Sequence, residues 1–452
     1  MNQPEKLRLI SSPGKPLRGS VSLPGDKSLA HRAALLAGLA HGESRIDNYL
    51  VAGVTAAMLG ALAALGVPWK LEGRRLLVNG RGLSELAPAG KPLDCGNSAT
   101  TLRLLAGALA AAGLPVVLDG SPGLRLRPMM RIVTPLQMMG VAIQPTQGCA
   151  PLILAGSARP LKPLHYRLPV ASAQVKSCLL LAALAADGNT TLIEPGPSRD
   201  HTELMLRNLG ISVVSRQVID GDEMLYETQL EPPQPLRLPP LELTLPGDIS
   251  SAAFLIVAAL ITPGAQIEIN RVCLNPTRTG LIDALRQMGA EIDVRQAGDQ
   301  HGELVGDLLV RYSPLHGTRV AGPLVVRMID EFPAFAIAAA YAQGETIVSQ
   351  AEELRLKESD RIGVLCSQLR LLGADIHETS DGFVLYGDGR LDGGTVAAHG
   401  DHRLAMALAV AGLASREPVV VLGAEAYRES FPDFDSVLHG LGADVALEPV
   451  TR

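Results

Sequence analysis

The residues able to do chemistry in this chain are cations and carboxylates gathered where helices begin. Lys27 and Arg32 lie in LPGDKSLAHRA, Arg103 in GNSATTLR, Arg125, Arg127 and Arg131 in GLRLRPMMR, Lys176 in SAQVKS, and His402 and Arg403 in GDHRLAMA. The stretch ELRLKESDRI sets Arg355, Lys357 and Arg361 around Glu358 and Asp360, and Asp330 and Glu331 open MIDEFPAF. A carboxylate near a helix N-terminus is stabilised in its charged form and makes a good proton acceptor. A glutamate held against a bound anion is pushed towards its protonated, donating form. One base and one acid beside a polyanion site suit group transfer between anionic substrates. The structural alternative is ordinary caps, solvated lysines and carboxylates closing salt bridges with local arginines. It stays open at any single opening, and for Asp330 and Glu358 on spacing alone. If residues 357–361 are helical, Lys357 and Arg361 are like charges one turn apart, which an anion or Glu358 would have to bridge.

The elements that must carry these residues repeat. A Leu or Met, a Gly and a small apolar residue recur at Leu65-Gly66-Val67, Met139-Gly140-Val141, Leu209-Gly210-Ile211, Met288-Gly289-Ala290, Leu372-Gly373-Ala374 and Leu441-Gly442-Ala443, roughly 70 to 84 residues apart. Each ends a helical pattern and leads into an alternating, strand-like one, with the Gly suited to a left-handed helix stop. That spacing fits a small α/β unit used six times. A second series agrees: polar openings at about 23, 94, 168, 245, 325 and 398 each run into an Ala/Leu-rich helix and then a β-branched strand. These helices are apolar nearly all round and are expected to be buried. Candidate caps are Ser28, Asn97 or Ser98, Ser172 and Ser250. Six helix starts bind anions well if they point one way in each half, and the six together favour that reading.

The first and fourth units both begin Leu-Pro-Gly-Asp, so the chain reads as three units plus three. The proline-rich stretch LEPPQPLRLPPLELT (230–244) is a natural linker between the halves. The early strand KLRLI could pair with the second half. The expected domains are 22–240, and 1–21 with 241–452, with a hinge near 17–22 and 238–245.

Composition closes off other classes. The chain has 452 residues, 47% hydrophobic and 19% charged, enough for two or three domains. A net charge of −6 argues against a general nucleic-acid surface. Five scattered cysteines without CxxC read as a reducing compartment, and Cys95 as a small buried side chain rather than a nucleophile. No apolar secretory segment opens the chain, and no apolar run is long enough to span a membrane. A cytoplasmic protein is expected, with no membrane or nucleic-acid partner. The HGDH run (399–402) sits at a helix opening with an arginine, which favours an anion over a metal pair. PGDKS lacks the spacing of a nucleotide phosphate loop.

Taken together, LPGDKSLAHRA, DCGNSATTLRLLAG, LRLRPM, PVASAQVKS, SRDHTE, DEFPAFAIAAA, ELRLKESDRI and GDHRLAMA resemble the successive motifs of the 5-enolpyruvylshikimate-3-phosphate (EPSP) synthase family, in order from about residue 8 to 434. The resemblance implies an α/β fold of two similar domains, each of three βαβαββ units around buried parallel helices, an inside-out α/β barrel. It implies that the 5-hydroxyl of shikimate-3-phosphate adds to C2 of phosphoenolpyruvate and that phosphate is then eliminated in a cleft between the domains. No metal or organic cofactor is implied, and a monomer is expected.

Carried over by motif, Lys27, Ser28, Arg32, Ser172, Ala173, Gln174, Ser198, Arg199, Asp330 and Lys357 would hold shikimate-3-phosphate. Lys27, Asn97, Ala99, Thr100, Arg127, Gln174, Glu358, Arg361, His402 and Arg403 would hold phosphoenolpyruvate, with Lys357 close to it. Asp330 would accept the 5-hydroxyl proton, Glu358 would manage the proton at C3, and Lys27 would assist and stabilise developing charge. Positioned cations and amides suit a tetrahedral, highly charged intermediate. The related UDP-N-acetylglucosamine enolpyruvyl transferases usually carry a reactive Cys in the loop matching 119–127, and DGSPGLRLR has none. A non-catalytic polyanion-binding module would not need Asp330 and Glu358. Some family members have a Lys where YRESFPDF has Glu429, so neither Glu429 nor Arg428 is assigned a contact. The family commonly has Gly where Ala99 stands. One extra methyl should spare the small enolpyruvate and collide with the longer glyphosate, so a glyphosate-insensitive enzyme is expected.

Overall fold

The computed structural model describes residues 6–156 and 159–450. Contacts divide the chain into two compact units: residues 25–245 with 300–303, here the first unit, and residues 1–24, 246–299 and 304–452, the second. Among the described residues, each unit contains three four-stranded sheets and three buried helices. The buried helices are α1 (Lys27–Leu39), α2 (Ala99–Ala112) and α3 (Ala173–Ala183) in the first unit, and α4 (Ile249–Ile261), α5 (Phe332–Ala340) and α6 (His402–Ala411) in the second. Every residue of α4, α5 and α6 is buried, as an all-round apolar pattern requires. The six helix-ending glycines, 66, 140, 210, 289, 373 and 442, all have positive φ, between 78° and 96°. They stop the outer helices, not the buried ones.

Every sheet has one plan: a parallel pair of strands, then two more strands beyond it. In four repeats the strands before and after the buried helix form the parallel pair, as Leu93–Asp94 and Pro115–Asp119 do around α2. In the other two, the leading strands are exchanged. β1 (Leu7–Ser12) and β2 (Arg18–Ser22) precede α1, and β3 (His41–Asp47) follows it; β4 (Glu242–Thr244) precedes α4, and β5 (Gln266–Cys273) follows it. β2 pairs in parallel with β5, and β4 with β3. β1 lies between Val419–Leu422 and Asp444–Pro449, antiparallel to both, so KLRLI does join the second half of the sequence.

Small residues let the helices approach. A Cβ on Gly107 would lie 2.0 Å from the Cys178 carbonyl oxygen, so α2 and α3 touch backbone to backbone. In the second unit the helix starts are tied together by side chains, Ser250 to Glu331 and Glu331 to Arg403. The opposite ends of α4, α5 and α6 line one cavity of about 360 Å³. The three helices are therefore parallel, with their positive ends at one pole.

The caps correct the sequence reading at two openings. Asp26 caps α1 and accepts from Leu29 N, and Asp248 caps α4 and accepts from Ser250 N, so Ser28 and Ser250 lie inside the first turn. Asp401 likewise caps α6, while Ser98 and Ser172 cap α2 and α3. A Gly-Asp pair stands before α1, α4 and α6, and the aspartate occupies the N-cap position, where its carboxylate accepts from an amide of the first turn.

Candidate active site

In the first unit the predicted residues gather around the starts of α1, α2 and α3. Lys27 opens α1, followed by Ser28, whose hydroxyl accepts from Arg199 at 3.2 Å. Arg32, one turn on, is 3% exposed. Its Nε donates to Thr202 Oγ1 at 2.7 Å, and its Nη atoms to Ser177 Oγ at 2.8 Å and Ser28 O at 3.0 Å. These partners fix the orientation of the guanidinium.

The α2 start is built by Gly96 at φ 56° and by Ser98, which accepts from Thr101 N at 3.1 Å. Ala99 is the first helical residue and only 2% exposed, while Asn97 is exposed and accepts from Ser121 Oγ at 3.0 Å. Thr100 Oγ1 accepts from Gln174 Nε2 at 2.9 Å, and Gln174 Oε1 accepts from Arg103, whose other arm donates to Pro128 O at 3.0 Å. Arg103 thereby joins Thr100 and Gln174 to the Arg127-Pro128 turn. Arg127 is half-buried at the end of a 3₁₀ turn, Leu124–Leu126. Behind Ser98, the buried His31 has its pKa lowered to about 4, chiefly by desolvation. It is neutral at physiological pH.

At the α3 start, Ser172 caps the helix and the half-buried Ala173 is its first residue. Lys176 does not wait for an anionic ligand, as its place at a helix opening suggested. It is 4% exposed and paired with Glu194 at 2.7 Å and Glu203 at 2.8 Å. Burial works against its charge, and the two glutamates outweigh that effect and hold it protonated. Ser198, also buried, donates its hydroxyl to Glu194 at 2.7 Å.

In the second unit the predicted residues meet on Asp330, just before α5. Its Oδ1 lies 3.4 Å from Arg361 and 3.6 Å from Lys357, and its Oδ2 lies 3.5 Å from Arg403. Glu358 pairs with Arg361 at 2.5 Å. Residues 357–360 are not helical: they link the 3₁₀ turn Glu352–Leu356 to the helix Arg361–Leu371, so the like-charge spacing one turn apart does not arise. Arg361 is 1% exposed and is anchored to Asp401 at 2.8 Å. Burial opposes its charge, but Asp401, Glu358 and Asp330 hold it protonated. Burial would raise the Asp401 carboxyl, and Arg361 beside it more than compensates, keeping it below the usual range. His402 and Arg403 are the first two residues of α6, both buried.

Sequence reasoning missed Arg278, which donates to Ser250 Oγ at 2.9 Å and lies 3.4 Å from Asp248. It also gave no role to Glu194, Glu203 or Asp401. For Asp401 the signal was the repeated Gly-Asp before a helix. For the others only the tertiary contacts reveal a role. The assembled groups can hold anions through cations and helix starts, and Asp330 and Glu358 can exchange protons beside them. Among the described residues no group of His, Cys, Asp and Glu side chains could hold a metal ion, and no helix is long and apolar enough to cross a membrane.

Residues 11–438 match the family model of EPSP synthase (3-phosphoshikimate 1-carboxyvinyltransferase). A 3-phosphoshikimate 1-carboxyvinyltransferase of a Roseiflexus species is 47% identical over 435 residues, covering 94% of this chain and 97% of the relative. That of Geobacter sulfurreducens is 44% identical over 441 residues, covering 95% and 98%. The solved EPSP synthase of Acinetobacter baumannii superposes with a TM-score of 0.85 at 37% identity, covering 98% of this chain and all of the other. The chain belongs to the EPSP synthase family and has its two-domain inside-out α/β fold. It is an enzyme of that activity, a transferase of the shikimate pathway; the family's substrates are shikimate-3-phosphate and phosphoenolpyruvate.

Proposed function

We propose that this member of the family holds shikimate-3-phosphate mainly on the first unit, through Lys27, Ser28, Arg32, Ser172, Ala173, Gln174, Ser198 and Arg199, with Asp330 and Lys357 from the second. Phosphoenolpyruvate takes Lys27, Asn97, Ala99, Thr100, Arg127 and Gln174 from the first unit and Glu358, Arg361, His402 and Arg403 from the second. The observation that carries this reading is the placing of Asp330 against three cations at 3.4 to 3.6 Å. Such a carboxylate is kept ionised, ready to accept the 5-hydroxyl proton. Glu358 pairs with the same Arg361; once a bound anion takes up that arginine and pushes Glu358 to its protonated form, it hands a proton to C3 as C2 is attacked and takes one back as phosphate leaves. Lys27 and the arginines stabilise the charge of the tetrahedral intermediate. The reading needs no cofactor, and the enzyme is expected to act as a cytoplasmic monomer on small anions alone.

The test is phosphate release from phosphoenolpyruvate with shikimate-3-phosphate as acceptor and UDP-N-acetylglucosamine as control. Release that depends on the sugar nucleotide would overturn it.

We also propose that the enzyme is insensitive to glyphosate. The support is the buried methyl of Ala99 at the start of α2, beside the Thr100–Gln174 hydrogen bond. Ala99→Gly should lower the glyphosate inhibition constant by about tenfold or more, since a steric clash of one methyl costs of the order of 1–3 kcal/mol. The Michaelis constant for phosphoenolpyruvate should move much less. Equal sensitivity of the two proteins, with normal use of phosphoenolpyruvate, removes the role of Ala99.

A further inference from the structure

Three chain segments of the first unit meet on one buried carboxylate. Glu194 ends the strand Thr190–Glu194, Ser172 caps α3, and Ser198 lies in the loop before the helix His201–Asn208. Glu194 Oε1 accepts from the Ser172 amide at 3.0 Å and from the Ser198 hydroxyl at 2.7 Å, and Oε2 lies 2.9 Å from the same hydroxyl. Lys176 holds Glu194 from α3 at 2.7 Å and is itself held by Glu203 at 2.8 Å. The glutamates are 1% and 0% exposed, so solvent competes with none of these bonds.

We propose that Glu194 is a positioning residue for shikimate-3-phosphate, locking Ser172 and Ser198 into one cradle while Lys176 locks Glu194. The inference rests on the assignment of Ser172 and Ser198 to that substrate. A charged acceptor makes shorter and stronger bonds than a neutral one. Here a single acceptor sets the start of α3 and the rotamer of Ser198 together. Glu194 itself reaches neither substrate and acts through the two serines. Glu203 is the internal control: it neutralises Lys176 but bonds neither serine. Either substitution, Glu194→Gln or Glu203→Gln, leaves Lys176 with one carboxylate, and only Glu194→Gln also alters the bonds to the two serines.

The experiment is calorimetric binding of shikimate-3-phosphate to the full chain without phosphoenolpyruvate, followed by steady-state kinetics. Glu194→Gln should weaken binding by about tenfold, the worth of one charge-assisted hydrogen bond. The Michaelis constant for phosphoenolpyruvate should stay within about threefold, and Glu203→Gln should bind within about threefold of wild type. Adding Ser198→Ala to Glu194→Gln should weaken binding by less than the product of the single effects, because the two residues share an interaction. Binding by Glu194→Gln equal to wild type overturns the proposal, as does an equal loss in Glu203→Gln or a parallel rise for phosphoenolpyruvate. Wild-type protein that does not bind shikimate-3-phosphate overturns the substrate assignment itself, a different failure.

Discussion

The helix starts of the two units are built from the same repeating piece, yet several of their arginines meet different partners. In the first unit, Arg32 is held by two hydroxyls and a carbonyl, Arg103 by an amide oxygen and a carbonyl, and Arg199 by a hydroxyl. In the second, Arg361 is held by Asp401, Glu358 and Asp330, and Arg403 faces Asp330 and Glu331. Hydroxyl and carbonyl partners orient a guanidinium fork. Carboxylate partners balance the charge and put proton acceptors in the site. On the proposed assignment, the first pole is expected to contribute more to holding the phosphorylated substrate, and the second to moving protons.

Variants can break this contrast. The largest effect is expected for Asp330→Ala, which removes the proposed base: turnover should fall by about 10³-fold or more, with calorimetric affinity for shikimate-3-phosphate changed only a few-fold. Full activity would end the division of labour. Glu358→Gln should lower turnover by roughly 10²-fold, read in the same assay. On the other side of the contrast, Arg32→Lys keeps the charge but loses the fork that reaches Thr202 and Ser177. The Michaelis constant for shikimate-3-phosphate should rise by about tenfold or more while maximal turnover stays nearly unchanged. A fall in turnover with an unchanged Michaelis constant would reverse the roles of the poles.

The smallest effect is on stability. His31, with a folded pKa near 4, is below the ordinary value of 6.5. The unfolded chain therefore binds the proton more readily, and His31 costs stability as pH falls from about 6.5 towards 4. Between pH 7 and 5 the loss from this residue is about 2 kcal/mol. Urea unfolding should show that portion of the acid sensitivity disappear in His31→Asn.

The two poles also differ in how readily they could be read. Leu124-Arg125-Leu126-Arg127 and Leu354-Arg355-Leu356-Lys357 form matching turns, each with its first Leu buried, its second exposed and its Arg paired to a nearby acid. That likeness is visible as LRLR and LRLK in the sequence. The carboxylate that three cations share in the second unit could not be found by spacing, because Asp330, Lys357 and Arg403 come from three separate segments. The caps of α1 and α4 are ambiguous in sequence because a serine and an aspartate two positions apart are both good caps, and only the backbone geometry chooses Asp26 and Asp248.

By itself, the sequence determined the six repeats, their all-round apolar helices and the glycines that end the outer helices. These follow from local rules of periodicity and backbone sterics that act within a dozen residues. The motifs carried the family and the candidate residues. Only the tertiary structure decided that β2 and β4 trade sheets, that Lys176 belongs to two buried glutamates, and which guanidinium meets a hydroxyl and which a carboxylate. Those outcomes depend on groups far apart in the chain meeting out of water, where an unpaired charge costs too much to leave unmatched.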